Sequence, residues 1–214
     1  HQPLLMPKDG QVRVQVSLRK SPTPDQHTIR IYSKQSEQKD WLMHSHGEVS
    51  VSDGGSPSES LPSGFTHHRG ATDFYDVYCA RGYDLGPSYR WIDTIEYEGS
   101  RSCAKLKRPA NSIESGLKIH PGTIDATFQL LAQCLESQLL LDSDTIFLPF
   151  ELEEIQLGHS LTETSTAFAQ AAIADGQGVR GEIEIHNSDG SLALRIRGFK
   201  ARKSSRAQLQ SLLD

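Results

Sequence analysis

Apolar and polar residues alternate from Val12 to Leu18 (VRVQVSL) and again from Thr28 to Ser33 (TIRIYS), with the turn-rich SPTPDQ between them. A period of two sends successive side chains to opposite faces, so both segments are predicted to be antiparallel strands. Trp41–Val51, WLMHSHGEVSV, continues the pattern as a third strand, and three successive strands make a meander. A linker is expected over 52–72, opening with SDGGSPSESLPSG, which is too rich in Ser, Gly and Pro to bury a core.

Beyond the linker the period changes. Asp73–Arg81, DFYDVYCAR, spaces its apolar groups as a short amphipathic helix, with Gly82 as its stop. The turn GYDLGPSYR leads to strands at Trp91–Tyr97 and Ser102–Leu106. His120–Leu141 is the longest predicted helix. Pro121 suits its first turn, where an amide hydrogen would have no intrahelical partner, and Ile124, Phe128, Leu131 and Leu135 recur as one buried stripe. Strands at Phe150–Leu157, Ser165–Ile173, Gly181–His186 and Ser191–Phe199 follow, and 202–214 reads as an exit linker or short helix. Strands, one long helix and more strands make an α+β arrangement, an antiparallel sheet wrapped around a helix. The first half has strands but no comparable helix.

The 214 residues fit one large domain or two small ones. Twenty-two basic against 27 acidic residues leave a formal charge of −5, with no Lys/Arg stripe, which argues against a nucleic-acid partner. No apolar run approaches the ~20 residues that span a bilayer, and HQPLLMPKDG lacks the layout of a secretory signal, so a cytoplasmic location is expected. Because His1 rather than Met comes first, the chain is expected to be cut from something longer. Cys79, Cys103 and Cys134 are far apart with no CxxC spacing, and are expected to be reduced, buried thiols.

Candidate chemistry sits in HPGTIDATFQ, His120–Gln129, which places Asp125 and Gln129 at i and i+4 on one helix face. A partly desolvated carboxyl there can act as a general acid, with the amide holding its orientation. The same spacing also describes an ordinary first-turn acid favoured by the helix dipole, with Gln129 solvated. Spacing alone leaves both readings open.

The same segment is similar to the HPxxxDxxxQ motif of polyketide synthase dehydratase domains. GYDLGPSYR, Gly82–Arg90, resembles their GYxYGPxF motif, and LPF at Leu148–Phe150 matches a third signature in the same order. HQPLLMPKDGQVRVQV resembles the family's PLxLPxxGxxxVQV strand pair, so the resemblance covers essentially the whole chain. It implies a double-hotdog fold, two sheets each wrapped around a helix, with the active site between the halves. Residues 1–51 would be a partial first hotdog and 73–201 a complete second one. The implied reaction is loss of water from a β-hydroxyacyl thioester on an acyl carrier protein. A histidine of the first hotdog takes the α-proton and an aspartate of the second protonates the departing hydroxyl. By match, Asp125 is that acid and Gln129 supports it. Tyr83, Gly86 and Pro87 fall in a turn along the substrate tunnel, His120 and Pro121 shape the helix entrance, and Leu148, Pro149 and Phe150 are wall residues. No cofactor is implied beyond the phosphopantetheine arm of the carrier. The implied partners are that carrier and the other synthase domains, and the resemblance admits a homodimer.

The family's HxxxGxxxxP motif does not occur before Leu61. His1, His27, His44 and His46 are followed four residues on by Leu5, Ile31, Glu48 and Ser50 instead of Gly. That motif and the first helix are expected upstream of His1. His44 and His46 would share a strand face, but no third ligand is identifiable, and His67 and His68 fall in the linker, so no metal site is expected. Nothing in the sequence argues for His159 or His186. Three readings follow: a dehydratase completed by an upstream segment, a shortened inactive remnant serving as a structural or docking element, or a pyran-forming relative. Retention of Asp125 favours dehydration over ring closure.

Overall fold

The computed structural model describes residues 4, 11–35, 40–51, 62–80, 83, 85–110, 112, 116–135, 145–174, 178–205 and 207. The chain divides into two compact units, one of residues 1–54 and 207–214, the other of residues 55–206.

The first unit is an antiparallel meander of β1 (Val12–Lys20), β2 (Gln26–Gln35) and β3 (Leu42–Ser50), in the order β1-β2-β3. Asp25, at φ 59°, supplies the left-handed residue of the β1–β2 turn, a conformation that Asp tolerates better than most side chains. The register sets Ile31 between Val16 and Ser45, and Ile29 between Leu18 and Gly47, so one face of the sheet carries the apolar row predicted for it. Val14, Val16 and Leu18 on that row are exposed. In β3 the register slips so that His44 bulges between Met43 and Ser45, and its Nε2 lies 2.6 Å from the Ser33 hydroxyl.

The second unit wraps an eight-stranded antiparallel sheet around one helix. Its strands are β4 (His67–Gly70), β5 (Ile92–Glu98), β6 (Arg101–Lys107), β7 (Thr145–Glu151), β8 (Glu154–Leu157), β9 (Thr164–Ala174), β10 (Gly178–Asn187) and β11 (Leu192–Ser205). They run β4-β5-β6-β9-β10-β11-β7, with β8 also on β11. Helix α1 (Ala71–Ala80) connects β4 to the turn before β5, and α2 (Pro121–Cys134) lies against β6, β9 and β10. The core between α2 and the sheet joins Ala126, Leu130, Leu131 and Cys134 to Leu106, Ile183, Ile185 and Leu194. Ala167, Ala169 and Ala171 alternate along β9 and are all buried, which lets the helix backbone come close. Gly181 does the same on β10: a β-carbon there would stand 2.5 Å from the Leu131 Cδ2 methyl.

Several predicted boundaries move. Residues 136–141 of the predicted long helix lie outside the described residues; the described helix closes at Cys134, with Leu135 as its cap. Its buried face is Thr123, Ala126, Thr127, Leu130, Leu131 and Cys134, while Ile124 and Phe128 flank it half-buried. The predicted strand at Phe150–Leu157 is two strands, because β11 changes partner: its 200–205 stretch pairs β7 and its 194–197 stretch pairs β8. Gly198, at φ 60° between them, donates its amide to Glu182 Oε1. Pairing with β7 also extends β11 to Ser205, so the expected exit segment from 202 starts inside a strand. The linker expected over 52–72 ends earlier. Of it, 52–61 lie outside the described residues, 67–70 pair with β5 as strand β4, and α1 begins at Ala71. The Ser/Gly/Pro composition of its first half does not extend to FTHHRG, and His67 stacks on Tyr97 at 5.2 Å.

The three cysteines are free thiols, but Cys79 is exposed and Cys103 half-buried, so only Cys134 fits the expected burial. Burial pushes the Cys134 thiol up to about 11. Among the described residues no helix is long and apolar enough to cross a membrane, and no three His, Cys, Asp or Glu side chains gather as a metal site would require.

Candidate active site

The chemistry-bearing corner is the entrance of α2. His120 is its N-cap, with extended backbone (φ −71°, ψ 138°), and its Nδ1 accepts the Gly122 amide at 3.0 Å. That bond requires the proton of a neutral ring to sit on Nε2. Pro121 opens the first turn, where its missing N–H costs nothing. His120 and Pro121 therefore shape the helix entrance.

Asp125 stands at the fifth helical position, past the first turn, so the dipole-stabilised first-turn reading does not describe it. Gln129 is buried rather than solvated. Its Nε2 donates to Asp125 Oδ2 at 2.8 Å and to the Tyr89 carbonyl at 3.3 Å. Two acceptors on one nitrogen fix which way the amide faces. The opposite atom, Oε1, is buried and has no partner among the described residues, a state that costs about 1–3 kcal/mol. The arrangement tolerates that cost to keep the N–H groups on Asp125 and Tyr89. Burial raises the Asp125 carboxyl above the ordinary aspartate range, opposed by the hydrogen bond from Gln129. Because Oδ2 is occupied as an acceptor, the proton of the neutral acid belongs on Oδ1.

A 3-10 turn, Pro87–Tyr89, presents the Tyr89 carbonyl. Gly86 precedes it in extended conformation and Pro87 presets its first residue, which is why the GP pair turns the chain here. The Tyr89 amide closes on the Gly86 carbonyl at 2.9 Å, and Arg90 Nε returns to the Leu85 carbonyl at 2.9 Å. Helix α1 supports this corner with two phenols. Tyr78 donates to the Gln129 carbonyl at 2.8 Å, and Tyr75 accepts the Ile92 amide at 2.9 Å. Burial pushes the Tyr75 phenol up to about 12, and Asp125 acts in the same direction.

The predicted residues divide into two groups. Asp125, Gln129, His120 and Pro121 meet at the entrance of α2. Gly86 and Pro87 border it through the turn, and Tyr83 adjoins it, its ring 5.5 Å from that of Tyr78. Leu148, Pro149 and Phe150 sit on β7, and no described hydrogen bond or ring contact joins them to Asp125. Phe150 bulges out of register between Pro149 and Glu151, with the Arg202 guanidinium 3.4 Å above its ring. Tyr75, Tyr78, Tyr89, Trp91 and Gly122 belong to the corner and were not singled out in the sequence. Two signals for them exist there: the paired aromatics of DFYDVY, and a glycine in a first helical turn, where it weakens the helix unless something must approach closely.

Compared with known proteins, residues 53–211 match the family model described as the polyketide synthase dehydratase N-terminal domain. The chain belongs to that family. This dehydratase-family chain is 28% identical over 211 residues to the Mycoketide-CoA synthase of Mycobacterium tuberculosis, covering 97% of the chain but 5% of that synthase. It spans only a small part of the multidomain synthases that it resembles. The dehydratase domain from the CurJ module of curacin polyketide synthase superimposes with a TM-score of 0.83 at 22% identity, over 96% of this chain and 73% of that one. A histidine-to-phenylalanine variant of the CurJ dehydratase, described as inactive, superimposes with a TM-score of 0.82 at 22% identity, over 97% of this chain and 73% of that one. These likenesses give the chain the α+β hotdog fold of polyketide synthase dehydratases.

Proposed function

We propose that this chain supplies the acid half of a dehydratase site that removes water from a β-hydroxyacyl thioester carried on the phosphopantetheine arm of an acyl carrier protein. The observation that carries the reading is Asp125: half-buried, its carboxyl raised by that burial, and held through Oδ2 by an amide whose direction is fixed. An acid whose hold on its proton is strengthened by burial suits departure of a hydroxyl group, since hydroxide is a poor leaving group.

In the reaction a base takes the α-proton, the α,β double bond forms, and the β-carbon–oxygen bond breaks as Asp125 Oδ1 protonates the oxygen. Water leaves, and Asp125 is left as a carboxylate opposite the protonated base. Proton exchange with solvent then resets both. We assign the base to a histidine outside these 214 residues. No HxxxGxxxxP motif is present here, and the CurJ relative is described as inactive once a histidine is replaced. The exposed row Val14, Val16 and Leu18 offers an apolar seat for such a segment. Tyr83, Gly86 and Pro87 line the thioester's approach, and Leu148, Pro149 and Phe150 line the acyl chain's path. The chemistry asks for no cofactor. The carrier protein and neighbouring synthase domains are the partners.

The test incubates the synthase domain that carries this chain with a β-hydroxyacyl carrier thioester and follows loss of one water by mass spectrometry. Asp125→Asn should lower the rate by about 10²–10⁴-fold, the usual contribution of a positioned general acid. An unchanged rate in that variant removes the acid assignment. Given instead an α,β-unsaturated carrier thioester that bears a further hydroxyl group, a product of unchanged mass but closed ring would point to the pyran-forming reading.

A further inference from the structure

Trp91 closes the turn that carries the Tyr89 carbonyl. It is buried, its indole N–H donates to the Ser88 carbonyl at 2.9 Å, and its ring centroid lies 5.2 Å from that of His120. The other side of that hydrogen bond is Gly122. A β-carbon at Gly122 would stand 2.5 Å from Trp91 Nε1 and 2.7 Å from the Ser88 oxygen, so the bonded pair rests against a bare Cα in the first turn of α2. The Gly122 amide is itself fixed by His120 Nδ1. One residue beyond Ser88, the Tyr89 carbonyl receives the Gln129 amide.

We propose that Trp91 is a positioning residue for Asp125: by pinning the Ser88 carbonyl against Gly122, it fixes the neighbouring Tyr89 carbonyl and so keeps the Gln129 amide on Asp125 Oδ2. Only the catalytic consequence of this rests on the reading of Asp125 as the acid. The Tyr89 contact, at 3.3 Å, is already beyond the usual length for such bonds, so a small retreat of the turn breaks it. The terminal torsion of a glutamine is broad and two-fold, and among the described residues two acceptors set the direction of this one. Once it turns, the orphaned Oε1 faces the carboxyl, and a carboxylate facing another acceptor is better off protonated. Loosening the turn therefore raises the proton affinity of Asp125. The other ionisable groups around this corner are Tyr75 and Tyr78 from α1, Tyr83, Tyr89 and Arg90 in and beside the turn, and His120 at the helix entrance.

Trp91→Phe removes the indole donor and keeps a ring against His120. The experiment titrates the aspartate carboxyl groups of the full 214-residue chain by ¹³C NMR, with Asp125→Asn identifying the resonance. The expected result is an upward move of the Asp125 midpoint in Trp91→Phe, in the direction of Gln129→Ala, with no further move in the double variant. Should Trp91→Phe fail to fold, as judged by circular dichroism, Gly122→Ala decides. Its β-carbon forces the same pair away from the helix, and the same upward move is expected. An unchanged midpoint in a folded variant overturns the proposal, as does a Trp91→Phe shift that adds in full to that of Gln129→Ala. In the synthase domain, Trp91→Phe should lower kcat about tenfold with KM unchanged, since misplacement of a catalytic group is felt in the transition state. Absence of any dehydration by the unaltered domain would sink the functional reading and leave the titration to judge Trp91 on its own.

Discussion

Gly181→Ala tests how tightly the helix that carries Asp125 is set against the sheet. The added methyl would stand 2.5 Å from Leu131 Cδ2 and 3.0 Å from the Gln170 carbonyl oxygen, where ordinary contacts begin near 3.4 Å. About 1 Å must be found on one side, and neither neighbour gives easily. Leu131 is buried among core residues, and Gln170 belongs to a strand paired with both β10 and β6. Overpacking of this kind costs about 1–3 kcal/mol. For a chain of this size the midpoint of thermal unfolding should fall by roughly 2–4 °C per kcal/mol. Leu131→Ala alone should cost about 2–5 kcal/mol through the cavity that it leaves. The added methyl then has room, so the double variant should be more stable than the sum of the single effects requires. Urea and thermal unfolding followed by circular dichroism measure all three. A neutral Gly181→Ala, or a double variant that is simply additive, refutes the close approach of α2 to β10.

Three further predictions concern buried polar groups. Thr123 is fully buried and its hydroxyl has no partner among the described residues, so Thr123→Val should raise stability by about 1 kcal/mol; a lower urea midpoint would show that the hydroxyl is bonded after all. Glu184 receives Arg195 Nε at 2.6 Å and lies 2.8 Å from His186 Nε2, and Arg195 is buried, so Glu184→Gln should cost about 3 kcal/mol. Burial pushes the Glu184 carboxyl up, but the hydrogen bonds from His186 and Arg195 outweigh it and hold it below the ordinary range. Its stabilisation is thus present above the unfolded value and lost as pH falls through the folded one, so the acid-side decline in melting temperature should flatten in the Gln variant. Asp125 has the opposite sign: with its carboxyl raised by burial, stability is complete below the unfolded value and falls as pH rises through the folded one. Asp125→Asn should therefore melt higher than the parent at pH 8 and match it at pH 3, and a lower melting temperature at pH 8 would contradict this.

Alternation made the strands of both units legible, because it gathers apolar side chains on one face, packed on the core in the second unit and exposed in the first. The helical period of 121–134 was equally plain, and of the stripe it suggested Leu131 and Leu135 are buried while Ile124 and Phe128 lie half-buried at its edge. Hydropathy favours large residues such as Ile124 and Phe128. Where a helix lies closest to a sheet, volume decides instead, and Thr123, Ala126 and Thr127 take that face while alanines alternate on β9. The break between β7 and β8 was hidden because LPFELEEIQL contains no glycine. The signal lay across the sheet, at Gly198 in β11. In the candidate site, the i, i+4 spacing was enough to pair Asp125 with Gln129. The Tyr89 carbonyl could not be read, since a backbone acceptor leaves no trace in residue identity, and Trp91 works through that backbone.

Strand β7 forms one end of the eight-stranded sheet, and Pro149 sits in the middle of it. A proline has no amide hydrogen to offer, and the displaced Phe150 beside it breaks the regular spacing that an incoming strand would need. The relatives of this chain are long synthases in which one polypeptide carries many folded parts at high local concentration. A sheet ending in a regular, fully bonding strand would invite neighbouring copies to zip onto it during synthesis. Pro149 and Phe150 thus act as a terminator, which disfavours the addition of a further strand at that edge.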